Sequence, residues 1–273
     1  MRLNSPWRSF IPAALVVLTS TADRQVYAQA CRLEVLATGT VQAVRDGSTL
    51  VLEDGRQVRL DGIQIPRPRQ AEARIEPEAP EAQASTTLVR LVGRDVVLKG
   101  SSAGTDRYGR LRALVFIRGQ DPEESVQHAL VARGLASVAS RETFRGCAAD
   151  LLARERQARN SRLGIWSAPD YAIVRADDPA AVLGLRGRLA LVEGRVLSVR
   201  ESGSTIYVNF GRRWSEDFTV TIAKRNERIF TAAGLEPKRL ERRQIRVRGW
   251  VEERGGPWIE ATRPEQIELL GQN

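Results

Sequence analysis

The 273-residue chain has a single histidine, two cysteines and only three lysines, Lys99, Lys224 and Lys238, among 42 basic residues. One histidine and two cysteines cannot supply the four ligands of an ordinary zinc site, so a catalytic metal here has to be hard and oxygen-ligated. Glycine and proline, 22 and 12, are too few for a collagen-like or low-complexity chain, and 42% apolar with 27% charged residues is a globular balance. The length exceeds one small domain and points to two. A formal charge of +9 carried almost wholly by arginine suits a polyanionic partner, because the guanidinium forks phosphate. A GC-rich coding bias gives the same excess, and both explanations stand at this level.

No apolar run approaches the roughly 20 residues needed to cross a bilayer. The stretch from Phe10 to Leu18 is about half that long, follows Arg2 and Arg8, and precedes small residues at Ala22 and again at Ala28 and Ala30. This is the pattern of a secretory signal peptide over residues 1–30, cleaved after Ala22 or Ala30, and it predicts export to the periplasm or medium. Its removal leaves a charge of +7. Cys31, next to Ala30, faintly matches a lipoprotein cleavage site. In an oxidising compartment Cys31 and Cys147 are expected to pair, a link of roughly 4 kcal/mol on the chain-entropy estimate.

From residue 33 to 60 alternating apolar runs are broken by Asp46-Gly47 and Asp54-Gly55, a hairpin signal. Pro66, Pro68, Pro77 and Pro80 predict a loop. A helix is expected over 81–92 with Ala84, Leu88, Leu91 and Val92 on one face, then strands over 95–99 and 111–117 and helices over 125–133 and 147–160. Five strands with interspersed helices predict a small closed barrel over 31–168. Residues 169–186 read as a linker. Over 187–273, strands at 189–199, 205–210, 218–222, 245–252 and 258–261, with a helix at 224–233 between the third and fourth, have OB-type connectivity. The expected fold is mainly β, two barrels in series.

The blocks RDGSTL from Arg45, VRLDGIQIP from Val58, TDRYGR from Thr105, ALVARGLA from Ala129 and LGIWS from Leu163 occur in the order and spacing of the staphylococcal nuclease family, which residues 36–167 resemble. The resemblance implies a five-stranded OB-like barrel with three helices and calcium-dependent cleavage of DNA and RNA, in which carboxylates hold the metal, a glutamate activates water and two arginines stabilise the five-coordinate transition state. It places the arginines on Arg59 and Arg110 and an aromatic phosphate or base contact on Tyr108. Its acidic positions fall on Ser48, Gln64 and Arg67, so both metal carboxylates and the general base are replaced, and Arg67 would repel a cation. Asp61, two residues beyond Arg59 on the same strand face, and Asp46 in the adjacent turn are candidate substitutes, as are Glu72, Glu76 and Glu78 in the loop. The bland alternatives are turn and surface roles for these acids and ion pairs to Asp61 or Asp106 for the arginines. His128, on a helix with Val126, Leu130 and Val131, reads as a boundary residue without a catalytic role.

In the second segment the period-2 pattern turns Ile245, Val247 and Val251 inward and Arg246, Arg248 and Trp250 outward, a basic and aromatic face suited to single-stranded nucleic acid. From Leu185 onward 17 basic residues face 12 acidic ones, a mild excess, and Trp214, Trp250 and Trp258 can equally pack the barrel. Three functions follow: an exported nucleic-acid-engaging protein with a degenerate metal and base set, an active calcium nuclease with relocated acids, or an interaction protein of the periplasm.

Overall fold

The computed structural model describes residues 33–45, 47–66, 79–100, 104–139 and 147–271. The expected signal peptide, Cys31, Asp46, Arg67 and the loop acids Glu72, Glu76 and Glu78 lie outside the described residues.

The first unit is a closed barrel built on one long bent strand, β1 (Glu34–Arg45). Its first half pairs with β5 (Asp95–Gly100) and its second with β2 (Thr49–Leu52), and a register shift interrupts each pairing. Such bulges bend a strand enough for both its edges to be used and the sheet to close. Gly39 lies at this bend, where a Cβ would come within 3.0 Å of the Leu52 side chain. The barrel continues through β3 (Gln57–Leu60), which runs parallel to β6 (Leu111–Ile117), and β6 returns antiparallel to β5. A short ribbon pairs β4 (Ile63–Gln64) with β7 (Ser137–Val138).

Helices α1 (Pro80–Val89), α2 (Val126–Ala132) and α3 (Ala148–Asn160) pack around this barrel. Of the expected α1 face, Ala84, Leu88 and Leu91 are buried; Val92 is exposed, because the helix ends three residues early. The ALVARGLA and LGIWS blocks meet backbone to backbone. A Cβ on Gly134 would lie 2.1 Å from the Leu163 carbonyl oxygen, and one on Gly164 would lie 2.2 Å from the Gly134 oxygen. Both glycines have positive φ, so only glycine fits this contact.

Of residues 169–186, Tyr171 bonds to Glu81 on α1, and the part from Val174 onward joins the second unit. Strand β8 (Val174–Arg175) runs parallel to β9 (Leu189–Arg195), and Asp178 caps α4 (Pro179–Leu183). Ala176 and Val182 enter the second core, so the expected linker is corrected: its two buried apolar side chains anchor the segment. The remaining strands are β10 (Ser198–Ser202), β11 (Thr205–Asn209), β12 (Thr219–Ala223), β13 (Gln244–Trp250), β14 (Glu252–Arg254), β15 (Gly256–Glu260) and β16 (Ile267–Leu269), with α5 (Glu227–Ala232) after β12. Here β10, β11 and β12 form a meander, β12 runs parallel to β15, and β9 pairs antiparallel with β13. The scheme is that of the first unit, with the run β9–β10 in the part of β1. The second unit divides into a five-stranded and a four-stranded sheet, where the first closes into one barrel.

The outward face of β13 is covered by α3, which corrects its expected exposure. Glu155 on α3 is fully buried and Arg248 is 5% exposed. Arg248 forks the Glu155 carboxylate through both terminal nitrogens and donates to the Val138 carbonyl at 3.0 Å, while the Val138 amide donates to Glu155 at 2.7 Å. Arg246 pairs with Glu193 at 2.8 Å and Glu268 at 2.9 Å, and Arg156 and Arg159 on α3 reach the same Glu268. Trp250 is half-buried at the end of the strand. Removing one member of a buried, forked pair strands the other charge in a dry site. Arg248→Met is expected to destabilise the protein by about 3–5 kcal/mol. The double variant with Glu155→Leu recovers part of that loss in chemical denaturation; a double variant as unstable as the sum of the singles would refute the coupling.

Candidate nucleic-acid interface

The mouth of the first barrel is assembled by strand register. Thr49 on β2, Arg59 on β3 and Arg112 on β6 lie directly opposite one another and therefore share a face. The Arg59 guanidinium donates to Ser48 Oγ at the start of β2, and Ser48 is nearly buried. Arg110 enters from the turn before β6. Its Nε donates to Asp106 Oδ2 at 2.7 Å and its Nη1 to Thr49 Oγ1 at 3.1 Å. Burial pushes the Asp106 carboxyl up, but hydrogen bonds from Arg110 and from the Arg110 and Tyr108 amides outweigh it and hold the group below its ordinary value. Asp106 thus stays an anion that fixes Arg110. Tyr108 stands out from the rim, 66% exposed, with the Arg107 and Arg110 guanidiniums 4.7 and 5.1 Å from its ring centre.

Register brings Arg59, Arg110, Ser48 and Tyr108 to one mouth. It also adds Arg112 and Thr49, which residue-by-residue reading of the motifs passed over. The signal for Arg112 was its place two residues beyond Arg110, on the same strand face. Asp61 does lie beside this group, but its side chain has no exposure, and Arg112 grips Oδ1 through Nε at 2.9 Å and Nη2 at 2.5 Å. The expected relocated ligand is thereby corrected: Asp61 is an internal counter-ion held by Arg112. Gln64 sits on β4, half-buried, with Nε2 donating to the Ile65 carbonyl at 3.0 Å. Asp46 and Arg67 lie outside the described residues.

A profile of staphylococcal nuclease homologues matches residues 57–168. A curated relative, Protein ParB of Escherichia coli, is 34% identical over 139 residues, covering 48% of this chain and 73% of that protein. The chain belongs to the staphylococcal nuclease homologue family. The match covers the first unit from β3 onward with its helices; β1, β2 and the second unit lie outside it. Nucleic acid is the family's ligand class, and no helix among the described residues is long and apolar enough to cross a membrane.

At the described acidic positions, 48 and 64, the side chains are not the anionic oxygens that calcium prefers. Ser48 offers a neutral hydroxyl already accepting from Arg59, Gln64 is a neutral amide, and Asp61 is enclosed by Arg112. Among the described residues no three His, Cys, Asp or Glu side chains gather as a cation site. Among the described residues the guanidiniums of Arg59, Arg107, Arg110 and Arg112 stand with the carboxylates of Asp61 and Asp106, and the Tyr108 ring lies at the edge.

A second polar line is structural. Ser125 Oγ stands 2.6 Å from His128 Nδ1, and Asp150 lies 2.9 Å from Nε2. Ser125 is fully buried, however, and its hydroxyl caps α2 by accepting from the His128 amide, so no substrate reaches it. Cys147 at the start of α3 is buried, and no described cysteine is free. Burial holds His128 below its ordinary value of 6.5, outweighing the attraction of Asp150. A histidine depressed in the folded state stabilises above its unfolded value and loses that contribution as pH falls through the folded one. Acidification below about pH 6.5 is therefore expected to weaken the protein, and His128→Asn to flatten that slope in urea midpoints measured across pH. Equal slopes for the two proteins would refute the assignment.

Proposed function

We propose that the chain is an exported, nucleic-acid-engaging member of its family whose metal and general-base set has degenerated, so that it binds phosphate at the barrel mouth and cleaves weakly or not at all. The observation that carries this reading is the exchange of charge at one place: Arg59 and Arg110 are kept, while the side chains at the acidic positions 48 and 64 are a hydroxyl and an amide engaged with protein partners. Arg59 and Arg110 would fork phosphate oxygens, the Ser48 and Thr49 hydroxyls would hold the two guanidiniums in place, and Tyr108 would stack on a base, which favours single strands. By the resemblance, Arg67 falls at the position of the base, where a cation would stand in place of a proton acceptor. No water is activated in such a site, because nothing at those positions accepts a proton at neutral pH.

Export to the periplasm or medium rests on the segment 1–30, and it goes with a disulfide between Cys31 and the buried Cys147. Residues 31–273 are expected to bind labelled single-stranded DNA with an affinity that falls steeply with salt and is indifferent to chelator. Arg59→Ala and Arg110→Ala each weaken it by about tenfold, the value of one charge-assisted hydrogen-bond pair. Chelator-sensitive cleavage that disappears in Arg59→Ala would replace this reading with an active nuclease. The absence of both cleavage and salt-dependent binding would replace it with an interaction protein. Ser48→Asp, Gln64→Asp and Arg67→Glu together are expected to create metal-dependent cleavage, read on the folded triple variant.

A further inference from the structure

The second unit presents a groove that the barrel mouth does not explain. Strands β11, β12 and β15 turn Ile206, Val208, Val220, Ile222 and Ile259 into the core, and their opposite face forms the floor of a groove in which Tyr207 is exposed while Thr219, Thr221 and Trp258 are nearly covered. Side by side across that face lie Tyr207, Thr221 and Glu260, with Thr219 beside Trp258 in the next row. The connection after β11 carries Trp214, 74% exposed, to the rim of the same groove, a cavity of about 310 Å³. Arg254 covers the Trp258 ring, its guanidinium 3.6 Å from the ring centre, and lies 3.7 Å from Glu252. A large exposed tryptophan beside a second aromatic and a floor of hydroxyls is a built surface, of the volume that small-molecule sites have.

Its charge decides what it takes. One arginine lines the groove, stacked on a ring and next to a glutamate, and Glu260 lines it too. A nucleic-acid strand needs a surplus of cations along its phosphates, and a carboxylate in the floor repels them. Neutral sugar rings need the reverse: an aromatic face for their C–H groups, and hydroxyl, amide and carboxylate partners for their hydroxyls. We propose that this groove binds a neutral oligosaccharide, one ring stacked on Trp214 and its neighbour bonded over Tyr207, Thr221 and Glu260. OB-type modules use the face of their second and third strands, here β11 and β12, for oligosaccharides as well as oligonucleotides.

Tryptophan fluorescence of the full mature chain tests this, because the described tryptophans lie outside the barrel mouth. Chitotetraose or cellotetraose is expected to change the emission saturably, with an affinity that is the same at low and high salt. Trp214→Ala, a solvent-exposed position, is expected to weaken binding by about tenfold, the worth of one stacked ring, with an unchanged thermal melt; Tyr207→Ala serves as the second variant. No response to either tetrasaccharide, or a response unchanged in both variants, would overturn the proposal. A salt-suppressed response to oligothymidylate that Trp214→Ala removes would overturn it in favour of a single strand. Neither result depends on Arg59 or Arg110, so the barrel-mouth reading stands or falls separately.

Discussion

The fork between Arg248 and Glu155 is the contact on which the arrangement of the two units depends. It brings the last helix of the nuclease-like unit against the central strand of the second sheet, and it is dry on both sides. A lone buried ion pair is seldom worth its desolvation, but this carboxylate also takes the Val138 amide, and the guanidinium also takes the Val138 carbonyl. The pair therefore ties three chain segments in one fixed register, which apolar packing would do less specifically. Around it Glu268 shares three arginines. Burial pushes Glu268 up, but Arg159 first and then Arg246 outweigh that and keep it ionised below its ordinary value, so the cluster holds together as a network of anions and cations at neutral pH.

The barrel mouth shows the opposite use of arginine. There, among the described residues, the acids hold single arginines in place: Asp106 holds Arg110, and Asp61 holds Arg112. A metal-dependent nuclease needs carboxylates whose oxygens point at a cation. Here the oxygens of Asp61 and Asp106 point at arginine, and the side chains at 48 and 64 are neutral. On the proposed reading Arg59 and Arg110 turn to phosphate in place of a calcium-binding set.

Most of the fold was legible because its signals are local. Asp-Gly turns, alternating strands and the glycines of ALVARGLA and LGIWS located the elements of the first barrel, and the same signals gave the strand order of the second unit. The charged residues were legible only as far as one strand can be read. Period-2 alternation separated Val247 from Arg248 correctly, but it distinguishes core from not-core, and whether the other face meets water or another unit is a long-range fact. The same limit hid Asp61: its face was right, but Arg112 comes from a strand some fifty residues away. Residues 169–186 look like a linker because just Ala176 and Val182 are buried in the second core, with Val174 and Leu185 partly buried against it.

The repeated pairing scheme explains why the two surfaces divide as they do. In each unit a bent strand joins its fourth strand on one side and its second on the other, so each sheet offers two outer faces on opposite sides. Docking the second unit through β13 consumes the face beside its fourth strand, and with it Arg246 and Arg248. What remains is the face of β11 and β12, where Tyr207, Trp214 and Trp258 are found and where charges balance. The arginines of the β13 face are thus internal, and the groove over β11 and β12 is lined by aromatic rings with one arginine and one glutamate. The barrel mouth would hold a polyanion through Arg59 and Arg110 and the groove an uncharged ligand through its rings, so the two would not compete for the same side chains.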